Sequence, residues 1–126
     1  MRKLSILVLI FALIFGTVGF AASDIESNLG KDLVEVAEGV RNTFEEYSNG
    51  LITRTEAVDR MQDYNAKTTF ILKDARDNNA SLKFIKLSAG MDIIIDLYRQ
   101  GLDEMNIDKI KLANKIGTMV ILPRLE

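Results

Sequence analysis

Residues 79–102, NASLKFIKLSAGMDIIIDLYRQGL, carry apolar side chains on two sides of any helix they form. Phe84, Leu87, Met91, Ile94, Tyr98, Leu102 and Met105 recur at three- and four-residue steps, which sets them on one side. Leu82, Ala89, Ile93 and Leu97 make a second strip, with Ile85 at its edge. A narrow polar strip of Ser81, Ser88, Asp92, Asp96, Arg99 and Asp103 runs between the two. A helix that is apolar on two sides is mostly buried. Neighbouring helices are therefore expected over both strips, enclosing residues 93–95. The segment SLKFIKLS also alternates like a short strand, but the run of helical spacing is longer and decides for a helix.

Near the start of the sequence, Arg2 and Lys3 precede an uncharged, mostly apolar run over residues 4–15. Gly19-Phe20-Ala21 then offers small residues at the two positions a signal peptidase reads. A cleaved signal peptide over 1–21 and a single helical domain over 22–126 are expected, and with them an exported protein, periplasmic or extracellular. Residues 4–23 are free of charge and long enough to cross a bilayer, so an uncleaved anchor is the alternative. A membrane partner is expected only in that case. Export permits disulfides, yet the chain has no cysteine, so the core must hold the domain unaided.

Four helices are expected. The first follows Ser23 or Asp24, with Ile25, Leu29, Leu33, Val36, Val40, Phe44, Tyr47 and Leu51 on one face and an acidic opposite face, and ends at Ser48-Asn49-Gly50. The second opens on Thr53-Arg54-Thr55-Glu56, a capping box. Its inward face is Val58, Met61, Tyr64, Thr68, Ile71 and Ala75, with Ala57, Phe70 and Leu72 beside it. Residues 77–79 end it, and Asn79 is placed to cap the third helix, which is expected to stop at Gln100-Gly101. The fourth starts from Asp103 or Asn106, turns Ile107, Ile110, Ala113, Ile116 and Val120 inward, and can end at Gly117. Residues 118–122 then add a helical turn or run extended before Pro123. Similar lengths and short connections favour an all-α, antiparallel four-helix bundle.

Tyr47-Ser48-Asn49-Gly50-Leu51 and Tyr98-Arg99-Gln100-Gly101-Leu102 share Tyr-x-x-Gly-Leu, and Gly39 faces Gly90 at the same offset. Two readings stay open: a duplicated helical hairpin, and two amphipathic helices that look alike by chance. Gly39, Gly90 and Gly101 are candidates for close helix packing, because a helical glycine costs about 1 kcal/mol relative to alanine unless something needs the space.

The chemistry available to the chain is narrow. Without histidine or cysteine it has no Ser-His-Asp or Cys-His nucleophile, no ordinary zinc or haem ligand set and no Glu-x-x-His di-iron signature. No metal site and no cofactor is expected, and no enzymatic activity. Removing Arg2 and Lys3 takes the net charge from −2 to −4, which argues against nucleic acid. Asp92 and Asp96 stand one turn apart and read either as a cation or acid–base pair, or as a solvated strip with Asp96 paired to Arg99; the second is favoured. Tyr47 and Tyr98 are candidate ligand-pocket residues at one end of the bundle, or core residues whose hydroxyls reach water. The first helix is strongly acidic and residues 106–126 net +2, so the two ends of the chain either neutralise each other or offer a charged face to a partner. The function expected is a non-enzymatic binding or interaction protein of the cell envelope, acting on another envelope protein or on itself. The alternatives are a carrier of a small apolar ligand in the bundle core and a carboxylate-dependent hydrolase.

Overall fold

The computed structural model describes residues 24–117. Among them are four α-helices and no strand: α1 (Asp24–Ser48), α2 (Arg54–Asp77), α3 (Leu82–Asp103) and α4 (Ile107–Ile116). The expected leader, residues 118–126 and Pro123 lie outside the described residues. No described helix is long and apolar enough to cross a membrane.

The three reversals share one device. After α1, Leu51 N–H donates to the Glu46 carbonyl at 2.8 Å and Gly50 N–H to Tyr47 at 3.1 Å, with Gly50 left-handed at φ 73°. This is a Schellman motif, which satisfies carbonyls that the helix end leaves bare. After α2, Ala80 donates to Ala75 and Asn79 to Arg76, with Asn79 at φ 55°. After α3, Asn106 donates to Gly101 and Met105 to Leu102, with Met105 at φ 52°.

Each turn hands over to a side-chain cap. Thr53 accepts from Glu56 N–H at 3.1 Å, and the Glu56 carboxylate takes the Thr53 N–H, completing the capping box. Ser81 caps α3 by accepting from Phe84 N–H, and Asn106 caps α4 by accepting from Asp108 N–H.

Two expectations are corrected here. Asn79 does not cap α3: it occupies the left-handed position of the preceding turn, and the cap passes to Ser81. Nor does α3 stop at Gly101, which is buried inside the helix. Arg54 of α2 donates to the carbonyls of Leu102 and Asp103, at 3.4 and 2.6 Å, which supports the extra turn. Gly50 and Gly101, matched by the internal similarity, thus differ in conformation.

Successive helices pack on one another: α2 on α1, α3 on α2 and α4 on α3, with a lighter seam between α1 and α3. Glu46, late in α1, pairs with Arg60, early in α2. Arg54 at the start of α2 meets the end of α3, and Asn65 further along meets Asp92. In the core, Leu29, Leu33, Val36, Val40 and Phe44 of α1 face Met61 and Ile71 of α2 and Phe84, Leu87, Met91, Ile94 and Tyr98 of α3. Burying one such side chain contributes roughly 1.5–3 kcal/mol.

Only one of the two apolar strips of α3 is enclosed. Phe84, Leu87, Met91, Ile94, Tyr98 and Leu102 are buried, but Leu82 and Ile93 are 65 and 55 % exposed, with Ala89 and Leu97 half-buried. The flank that α2 does cover is the polar one, where Asn65, Thr68 and Thr69 meet Asp92. Smaller corrections follow from the same packing. Leu51 lies beyond the α1 turn and is exposed, as are Phe70 and Ile107, while Asn114 turns inward beside Ile110 and Ala113.

Candidate functional site

A cleft of about 450 Å³ opens between α1 and α2. Asp32, Glu35 and Val36 line it from α1; Tyr64, Ala66, Lys67, Phe70 and Ile71 line it from α2. Local sequence explains its composition. The three-to-four-residue stripe of α1 turns Val36 inward and leaves Asp32 and Glu35, one turn apart, on the exposed flank. On α2, Ile71 is a core residue, while Phe70 faces away from the core and is 66 % exposed. Tyr64 lies across α1 at Gly39: a Cβ on that glycine would fall 2.5 Å from the Tyr64 ring. The Lys67 Nζ sits 5.8 Å above the same ring, within cation–π range.

The cleft combines an exposed aromatic face with two carboxylates that make no ion pair or side-chain hydrogen bond among the described residues. It is in the size range of small-ligand pockets. Its chemistry suits a positively charged group carried on an apolar body.

The residues singled out from the sequence fall elsewhere. Asp92 Oδ1 accepts from Asn65 Nδ2 at 2.8 Å, Thr68 Oγ at 2.7 Å and Thr69 Oγ at 2.9 Å, which makes it a link between α2 and α3. Both threonine hydroxyls also lie 2.9 Å from the Asn65 carbonyl, so each shares its one proton between two acceptors. Asp96 turns to its own helix, pairing with Arg99 at 2.8 Å and accepting from Gln100 at 2.8 Å. The two carboxylates therefore have separate partners. Among the described residues no group of three or more metal-ligating side chains is assembled.

Tyr98 is wholly buried, and its ring meets Phe44 edge-on, with centroids 5.0 Å apart and planes at 71°. Its hydroxyl meets Asn114 Oδ1 of α4 instead of water, which corrects the expectation of a wet phenol. Burial pushes its pKa well above the ordinary tyrosine value. Tyr47 is half-buried at the edge of the core. Gly101 stands against α4: a Cβ there would fall 2.5 Å from Ile110 Cγ1 and 3.1 Å from the Asn106 carbonyl. Gly90 is half-buried on α3.

Sequence reasoning missed the cleft. The acidic face of α1 is visible in the sequence, but the period of α2 puts Phe70 beside the inward stripe. Only the sense of rotation of α2 against α1 brings that ring next to Asp32 and Glu35. Comparison with protein-family models, with curated proteins and with solved structures finds no match for the chain.

Proposed function

We propose that this chain is an exported, non-enzymatic binding protein of the cell envelope, an antiparallel four-helix bundle whose α1–α2 cleft receives a basic, partly apolar element of a partner. The observation that carries this reading is the cleft itself: unpaired Asp32 and Glu35 beside the exposed Phe70 ring. The leader-like residues 1–21 support export. Carboxylate-only catalysis has less support, because Asp92 and Asp96 are each engaged in structural hydrogen bonds. A ligand carried in the bundle core has less support too, since Tyr98, Phe44, Phe84, Met61 and Met91 fill that space with side chains.

The test is a titration of the isotopically labelled mature protein, residues 22–126, with a leucine–lysine amphipathic helical peptide and its leucine–glutamate counterpart. The lysine peptide is expected to shift the amides of Asp32, Glu35, Lys67 and Phe70, and Asp32→Lys with Glu35→Lys to abolish those shifts. Equal response to both peptides, or none at these residues, overturns the reading.

A further inference from the structure

A basic, partly apolar face exists on this molecule. Lys109 Nζ of α4 reaches Gln100 Oε1 of α3 at 2.8 Å, which fixes how the outer edges of the two helices align. One and two turns further along α4 come Leu112 and Ile116; one and two turns back along α3 come Leu97 and Ile93. Because the helices are antiparallel, these four share one surface. Ile93 and Leu112 are 55 and 47 % exposed, and Leu97 and Ile116 are half-buried. Lys86, Lys111 and Lys115 flank the surface without an ion pair among the described residues; of the carboxylates beside it, Asp96 is paired with Arg99 and Glu104 with Lys109, and Asp108 has no pair.

Among the described residues no ion pair joins α1 to α4: the pairs are Glu46–Arg60, Asp77–Lys73, Asp96–Arg99 and Glu104–Lys109. One seam, α1–α2, is thus concave and apolar, with Asp32 and Glu35 against Lys67; another, α3–α4, is apolar with an excess of unpaired lysine.

We infer that the α1–α2 cleft receives the α3–α4 face of a second copy of this chain. The inference rests on the reading of the cleft given above and names its occupant. The two surfaces differ, so the contact is head-to-tail, and repetition closes into a ring or runs on as a filament instead of stopping at a two-fold dimer. Lysines flanking Leu112 lie against Asp32 and Glu35, and Leu112 and Ile93 cover Phe70.

Sedimentation velocity of the mature protein at rising concentration and rising salt tests this. Mass is expected to grow with concentration and fall with salt. Asp32→Lys with Glu35→Lys, and separately Lys111→Glu with Lys115→Glu, each bring like charges together and weaken association on the order of a hundredfold. An equimolar mixture of the two variants regains it, because every cross-pairing again joins opposite charges. That recovery is not available to a variant that has merely lost its fold. A wild-type protein that stays monomeric, an Asp32→Lys/Glu35→Lys variant that still dimerises, or a mixture that fails to recover overturns the inference. Should the wild type stay monomeric while the lysine peptide still shifts the cleft amides, self-association falls and the cleft reading stands; if neither occurs, both fall.

Discussion

Asn65 of α2 donates its side-chain amide to both the carboxylate and the main-chain carbonyl of Asp92 in α3, at 2.8 and 3.1 Å. This places the Asp92 flank of α3 against α2 and turns Leu82 and Ile93 outward. Asp92→Ala is expected to destabilise the fold by about 1–2 kcal/mol in urea unfolding, through the lost Asn65, Thr68 and Thr69 bonds. Both threonines keep the Asn65 carbonyl as an acceptor, which limits the loss. Combined with Asn65→Ala the effect should be less than additive, and calcium or magnesium should leave the melting temperature of the wild type unchanged.

The two tight glycines should respond unequally to alanine. At Gly101 the added methyl meets the Cγ1 branch of Ile110 and a backbone carbonyl, neither of which can swing away. At Gly39 it meets the far end of the half-buried Tyr64 ring, which can. Gly101→Ala should cost roughly 1–3 kcal/mol by overpacking. Gly39→Ala should lie within about 1 kcal/mol of the wild type, because gained helix propensity offsets the ring shift. Paired denaturation curves decide it.

Met105 holds a left-handed backbone at φ 52° with its side chain 76 % exposed, so little packing compensates the conformation. Met105→Gly is expected to stabilise the protein by about 1 kcal/mol, the size of the left-handed penalty for a residue with a Cβ. Gly50→Ala, at φ 73° with open space around it, should destabilise by a similar amount, about 1 kcal/mol. Both are read as shifts in thermal midpoint.

Tyr98 gives the molecule an alkaline limit. Its folded-state pKa is raised, so the native protein holds a proton that the unfolded chain releases above about pH 10. Stability from this group is complete below that pH and declines as pH climbs toward the folded-state value. Tyr98→Phe should cost about 1 kcal/mol near neutrality, through the lost bond to Asn114. It should also flatten the fall in melting temperature between pH 9 and pH 11, within the alkaline range where tyrosine titrates.

Much of the helix layout was legible in the chain. The α1 stripe from Leu29 to Phe44 and the Thr53–Glu56 box rest on local rules of period and capping, and the structure realises them. What was not legible depends on pairs of helices. From α3 alone, Asp92 looks wet and Ile93 looks dry; Asn65, Thr68 and Thr69 invert that, and nothing in α3 announces them. Gly101 resembled a helix stop because glycine serves both at turns and at close crossings, and only the position of Ile110 separates the two uses. The cleft is a matter of spacing between α1 and α2, so no periodicity within either helix encodes it.

Connections of five, four and three residues, each closed by its own backbone bonds, bear on how quickly the chain finds its shape. Every helix has its main neighbour adjacent to it in sequence, and the search for distant segments is small. Chains built this way sit at the fast end of the range, reaching the native state in roughly microseconds to milliseconds. A polypeptide of this kind, emerging unfolded from any channel, would take up its structure almost as soon as its last helix was free.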